Sequence, residues 1–288
     1  MIDLSILMVL LSGILQDYDV NSHVPSDIPM DHKYLPGNPT QTQSNLDSIA
    51  LWTDQNQMKL NPSKCSYMVF SRTEEQFVTR LTVNGNKIDQ RNVSKILGCW
   101  VDEDAGKWTT NTREICKSAY SRMAMLSKLK YVGVTTEDLL EIYSLFIRSR
   151  AEYLSVVWHS SLTVEQAHKI ENIQKTSLKI ILGDNYIDYP AALEMCAFEE
   201  LSVRRQTRCL SFAKKALKYP MGAVLFPENH QHGLNIRTRE KYKVNFARTE
   251  SYRKSAVPYC QTLLNADARD SEARDQAQRA GPSEREGG

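Results

Sequence analysis

Basic side chains are the residues whose grouping in this chain points most directly to a partner. Six of them stand between Leu201 and Tyr219 with no acid among them: Arg204, Arg205, Arg208, Lys214, Lys215 and Lys218. Seven more lie between Ile236 and Lys254 against only Glu240 and Glu250. A clustered basic face is what a polyanion such as a nucleic-acid backbone requires. A solvated helix face carries the same pattern, and charge alone does not separate the two readings. With ~100° between successive residues of a helix, Arg204, Arg208 and Lys215 fall on one side. Leu201, Cys209, Phe212 and Ala216 line another. The remaining chemistry-bearing types offer less. The six cysteines form no C-x-x-C pair, which reads as buried thiols in a reducing compartment rather than a disulfide framework or zinc site. His230 and His232 lack a further ligand at metal spacing and read as a polar loop.

The elements that position these residues follow from pattern. Leu46, Ile49, Ala50, Trp52 and Thr53 recur at helical spacing, so Ser44 to Met58 is expected to be an amphipathic helix. Asn61-Pro62 ends it, because proline lacks an N–H and biases the preceding residue away from helix. A strand is expected over Cys65 to Ser71 with Lys64 at its mouth, where a lysine is most simply a solvated strand end. Asn84-Gly85 predicts a tight hairpin within Thr79 to Ile88. Val93 to Val101 is expected as a third strand, with Gly98 marking a bulge or a close backbone approach. Loop is expected over Asn21 to Thr42, where Pro25, Pro29, Pro36, Gly37 and Pro39 break regular structure.

From Trp108 the period changes to helical. Ile115, Ala119, Met123 and Leu126 mark one face of a helix ending near Gly133. Thr135 with Asp138, and Thr163 with Gln166, predict two N-terminal caps. The first opens a helix carrying Leu139, Tyr143, Phe146 and Ile147. The second opens one carrying Ile170, Ile173, Ser177 and Ile180 and closed by Gly183. A fourth helix is expected from Leu201 to Lys218, stopped by Pro220. Strands that hairpin, followed by a run of helices, predict an α+β chain. Beyond Asn265 apolar residues all but vanish, which predicts a disordered tail over 265–288. The apolar run Leu4 to Leu15 is too short to span a bilayer as a helix. Asp3, and no lysine or arginine, precedes it, which argues against a signal peptide. An intracellular protein without a membrane segment is expected. The sequon Asn92-Val93-Ser94 lies in an expected strand and reads as coincidental.

Trp52, Met58-Lys59-Leu60-Asn61, Lys64 and Met68-Val69-Phe70 together resemble the palm segment that follows the Y-x-D-D box in reverse transcriptases of non-LTR, jockey-like retrotransposons. Lys95-Ile96-Leu97-Gly98 resembles the K-x-L-G of that family's primer grip. The helical block is similar as well: Tyr143-x-x-Phe146-Ile147-Arg148-Ser149-x-x-Glu152-Tyr153, Val157 to Thr163, Ile170-Glu171-x-x-Gln174-Lys175 and Leu201-x-x-Arg204-Arg205. The likeness runs from about Leu4 to Leu264, and the order and spacing of its motifs carry it rather than any one of them. Asp3 then matches the second aspartate of the box. The other reading of Asp3 is an unrelated residue near the start of the chain.

The resemblance implies a partial antiparallel palm sheet with one helix over 1–104, including the primer-grip-like hairpin, and an all-helical thumb and connector over 105–264. It implies that Lys64 takes the place of a palm lysine acting on the leaving pyrophosphate. It also implies that Lys95, Leu97, Gly98, Arg204, Arg205, Arg208 and Lys215 face an RNA–DNA duplex without sequence preference. Intact enzymes of the family use Mg²⁺ in a two-metal mechanism, and two ions need several carboxylates at hard-oxygen geometry. Asp3 alone cannot supply them, so no bound cofactor and no polymerase activity are expected of this chain. The alternative is a helical interaction module with no nucleic-acid role. Incubated with Mg²⁺ or Mn²⁺, a primed RNA template and nucleotides, the purified chain should extend no primer above background. Templated extension lost in an Asp3→Ala variant would refute this.

Overall fold

The computed structural model describes residues 39–58, 61–69, 80–104, 106–229 and 240–279. Compact units separate between Ala105 and Gly106. The segment holding Asp3 and Leu4 to Leu15 lies outside the described residues, as do His230 and His232.

The first unit opens with helix α1, Pro39–Gln55. Pro39 was expected to break regular structure, yet it is the first helical residue, where the missing N–H would have no partner anyway. After the helix, Asn61 accepts a hydrogen bond from Ser63 N at 3.0 Å and caps a single 3₁₀ turn, Pro62–Lys64. The expected strand is cut to two residues: β1 is Ser66–Tyr67, with Cys65, Met68 and Val69 outside it and Phe70 and Ser71 beyond the described residues, and it pairs in parallel with β4, Asp89–Gln90. Between them, β2 (Thr82–Val83) and β3 (Asn86–Lys87) form the hairpin that Asn84-Gly85 predicts. Both turn residues have positive φ, 50° and 76°, as a I′ turn demands. Leu81, Val83 and Ile88 form the small core, with Leu46, Cys65 and Tyr67 packed on it. The Gln43 amide ties α1 to the hairpin. It accepts from Thr82 N and donates to Thr82 O, both at 2.9 Å, and so stands in for a missing strand.

Val93 to Val101 is not one strand. It is a second hairpin, β5 (Val93–Ile96) and β6 (Cys99–Asp102), with Lys95 opposite Trp100. Gly98, at φ 85°, belongs to its turn rather than to a bulge. Leu97 shares that turn at φ 48°, a left-handed conformation that costs a non-glycine residue about 1–2 kcal/mol. The sheet expected as one antiparallel layer is instead, among the described residues, three separate two-stranded ladders, one of them parallel. Strands this short leave few backbone partners, so side chains and turns complete the hydrogen bonding.

The second unit is helical. Helix α2, Thr109–Tyr131, buries Ile115, Ala119, Met123 and Leu126, the face its spacing predicts. Gly133 follows at φ 86°. Helix α3, Thr136–Ile142, is capped by Thr135, which accepts from Asp138 N. The chain then widens into a π-helical stretch, Tyr143–Arg148, and closes with α4, Ser149–Ala151. The wider winding keeps Tyr143 and Ile147 buried and turns Phe146 outward, against the expectation from helical spacing. Helix α5 is Ser155–Trp158. Helix α6, Val164–Leu182, begins with a complete capping box between Thr163 and Gln166 and ends at Gly183, φ 57°. Helices α7 (Tyr189–Met195), α8 (Leu201–Ala216), α9 (Pro220–Leu225), α10 (Glu250–Arg253) and α11 (Ala256–Arg279) follow.

Helix α11 continues well past Asn265, where composition predicts disorder. Its later turns, Ala266 to Arg279, contain neither glycine nor proline, and alanine, arginine, glutamate and glutamine outnumber three aspartates and Ser271. Strong helix formers sustain a helix without an apolar face once its first turns are docked. Ala256, Val257, Cys260 and Leu264 supply that docking, and Lys214 Nζ reaches Asp267 at 2.6 Å.

Candidate nucleic-acid interface

Helix α8 carries most of the expected phosphate contacts, and its burial sorts them. Leu201, Arg205, Cys209, Ala213 and Ala216 face inward. Arg205 lies on the i, i+4 line of that stripe and is 0 % exposed, so its guanidinium cannot meet a phosphate backbone. The cause is helical pitch: a residue four after Leu201 and four before Cys209 must point where they point. The Arg205 head group is only partly satisfied, since Nη1 and Nη2 are buried without a hydrogen-bond partner among the described residues and the contacts run through Nε and the face of the group. The Arg205 guanidinium lies 5.8 Å from the Trp158 ring centre, and its Nε donates to His159 Nδ1 at 3.3 Å.

His159 must be neutral to accept that bond, with its proton on Nε2. Burial and then the Arg205 charge push its pKa down to about 4 from an ordinary 6.5. Burial lowers the Arg205 pKa too, opposed by the fields of Glu171 and Glu152. Trp158 is fixed in turn, its Nε1 donating to Tyr153 O at 3.0 Å.

Arg204 and Arg208, one turn apart on the flank of α8, converge on Glu152. Arg204 Nε stands 2.8 Å from Oε1, and Arg208 Nη2 stands 3.0 Å from Oε2. The Glu152 side chain is 1 % exposed, against 28 % and 50 % for the two arginines. The hydrogen bond to Glu152 raises the Arg204 pKa. Arg148, at the end of the π-helical stretch, joins this field. Its guanidinium sits 4.8 Å over the Phe198 ring, and burial followed by the Arg204 charge lowers its pKa. All three arginines stay cationic at neutral pH, so one carboxylate faces three positive charges. The rim of the cluster is therefore positive while its floor is neutralised.

A second buried carboxylate holds the start of α8. Glu200, at the cap position, makes no side-chain cap bond. Glu171 from α6 replaces it, accepting from Leu201 N at 2.9 Å and from Ser202 N at 3.2 Å. A negative charge here also meets the positive end of the helix dipole. Tyr189 donates its hydroxyl to the same carboxylate. Gln174 donates to Tyr189 Oη and to Glu199 O, both at 2.9 Å, and accepts from Tyr143 Oη at 2.7 Å. Burial raises the pKa of both tyrosines, so both remain donors.

The remaining expected residues are placed as follows. Lys215 is exposed on α8. Lys95 is exposed on β5, with its Nζ 5.4 Å over the ring of its cross-strand partner Trp100. Leu97 and Gly98 form the adjoining turn. The backbone of Lys64 ends the 3₁₀ turn rather than opening a strand. Asp3 lies outside the described residues. Among the described residues, no three histidine, cysteine, aspartate or glutamate side chains gather as a metal would need, and no helix is long and apolar enough to cross a membrane.

The chain matches no known protein family, curated protein or solved structure.

Sequence reasoning missed the roles of Glu152 and Glu171. Their position gave no signal: the residues three and four away are Arg148, Ser149, Ser155 and Val156 for Glu152, and Ala167, His168, Gln174 and Lys175 for Glu171, mostly polar in both cases.

Two outcomes follow. Glu152→Gln leaves Arg204 and Arg208 without a counter-charge. Since both arginines keep some water, the helical unit should lose about 2–3 kcal/mol, below the full cost of breaking a wholly buried pair. Urea unfolding followed by circular dichroism measures this, and an unchanged midpoint would show the clamp to be ornamental. For His159, the folded ring binds no proton until the pH is near 4, whereas the unfolded ring takes one near 6.5. The unfolded chain binds more protons between those values, so stability is full above 6.5 and falls as pH drops toward 4. His159→Gln retains an acceptor for Arg205 and should flatten that part of the stability–pH curve.

Proposed function

We propose that this chain derives from the palm end and thumb of a non-LTR retrotransposon reverse transcriptase, and that it holds nucleic-acid duplex through phosphates without reading sequence. One observation supports this reading most. The residues that carry the resemblance in the helical block meet one another: Glu152 with Arg204, Trp158 and His159 with Arg205, Glu171 with the start of α8, and Gln174 with Tyr143. Four motifs scattered over about sixty residues of sequence, chosen for their likeness to one family, form a single network. A chance likeness has no reason to select side chains that touch.

In this reading the arginines expected to grip phosphate serve first to seat α8, and the grip passes to the cations left outside. Lys215 and Lys218 are exposed on α8 and its end and enter none of the ion pairs of the described residues, while Arg208 keeps half its side chain in water. Apart from Asp3 and Lys64, the matched residues correspond to strand-holding parts of such enzymes, which supports binding as the role of this part of the chain. A helical interaction module is the second reading. The pairing of Arg204 and Arg208 with Glu152 favours it, because that pairing removes charge from the face.

Duplex affinity should fall with salt at a log–log slope of roughly −0.9 per phosphate contacted. Replacing Lys215 and Lys218 by glutamine should reduce the slope by up to about two contacts' worth and weaken all sequences alike, since phosphates carry no base information. Binding of RNA–DNA duplex that ignores both salt and this double variant would hand the lead to the interaction module.

A further inference from the structure

We infer that Phe246, with Lys243 and Arg248, is a stacking site for an unpaired base of single-stranded nucleic acid. The inference rests on the nucleic-acid reading above but uses a different surface. Phe246 is 85 % exposed. An aromatic ring in water is ordinary in a loose loop, but this one stands on a held backbone. Tyr242 N donates to Asn265 Oδ1 at 2.8 Å, and Asn265 Nδ2 donates to Tyr242 O at 2.9 Å. Asn245 N donates to Gln261 Oε1 at 2.9 Å, and Gln261 Nε2 donates to Leu225 O. Lys243 N reaches Pro227 O and Asn229 N reaches Lys241 O, each at 2.9 Å. Buried Asn265 and Gln261 of α11 thus fix the strand up to the residue before Phe246. Thr249 fixes the other side, its hydroxyl accepting from Tyr252 N as the cap of α10. The ring is presented, not merely unburied.

Charge says what it is presented to. Lys243 and Arg248 are exposed three residues before and two residues after Phe246. Neither enters an ion pair of the described residues. Of the nearby acids, Glu250 is engaged with Arg253 and Lys254 and Glu228 with Lys241 at 3.8 Å, while exposed Glu240 enters no ion pair of the described residues. A protein partner would ask for a contiguous apolar patch, whereas Val244 and Ala247 beside the ring are half-buried. One exposed ring flanked in sequence by two cations that enter no ion pair of the described residues instead has the parts of a site for a single strand, with stacking for the base and charge for the phosphates. Bases inside a duplex are already stacked, so the site selects unpaired ones.

The test is fluorescence anisotropy of the full-length chain with a labelled twelve-residue oligothymidylate, a matched oligomer carrying abasic sites, and an RNA–DNA duplex. Phe246→Ala should weaken oligothymidylate binding roughly five- to hundredfold, the range for one lost base stack, and leave the abasic oligomer and the duplex within twofold. Phe246→Trp should restore binding, with its indole emission quenched by oligothymidylate alone. Equal losses on the bearing and abasic strands, or no loss at all, would overturn the stacking site while leaving duplex binding by Lys215 and Lys218 standing. Absence of salt-dependent binding to every probe would overturn both.

Discussion

Two buried carboxylates decide where α8 sits, and the helical unit depends on them. Glu171 takes the backbone N–H groups at the helix start, and Glu152 takes two guanidinium groups along its flank. Neither contact is cheap to form. A carboxylate removed from water loses several kcal/mol of hydration, and only opposing charge with well-aimed hydrogen bonds repays it. The unit supplies both. Packing alone would let a helix slide or rotate by part of a turn, because leucine and alanine faces tolerate small shifts. Charges that must find their donors do not tolerate them, so the polar network fixes the register of α8 on α6 and α5.

That constraint reshapes the electrostatics of the surface. A stretch with six cations and no acid looks strongly positive along the chain, but in space one arginine is buried, two share a glutamate and one lysine meets Asp267. What remains for a ligand is smaller and lies toward the end of the helix. Structural and binding uses of the same residue type thus compete within one helix, and the pitch of the helix allocates them.

Much of this was legible in the sequence. The caps at Thr135 and Thr163 were, because a hydroxyl three residues before a carboxylate or amide satisfies orphan donors wherever it occurs. The stripe from Ile115 to Leu126 was, and so was the Asn84-Gly85 turn. The Leu97-Gly98 turn was not, because leucine disfavours the left-handed region and its neighbours read as one continuous strand. The parallel β1–β4 pair was not, since two-residue strands have no period to detect. Arg205 was misplaced because charge outweighed position, although the Leu201–Arg205–Cys209 spacing contained the answer. The helix beyond Asn265 was missed because few apolar residues suggest disorder, while local helix propensity and the docked start of α11 decide otherwise.

The spacing of the clamp along the chain has a consequence during synthesis. Glu152 lies 52 residues before Arg204, and Glu171 lies 30 before Leu201. A ribosome adds roughly 5–20 residues each second, so both carboxylates have left it seconds before α8 emerges. Until then neither carboxylate has its α8 partner, and water can hydrate both. When α8 arrives it meets a receptor already made, and its own burial comes last. Asp267 then pairs with Lys214 from the C-terminal side. The chain is thus arranged so that its least tolerable groups, the buried charges, wait in water for a partner rather than in a half-formed core.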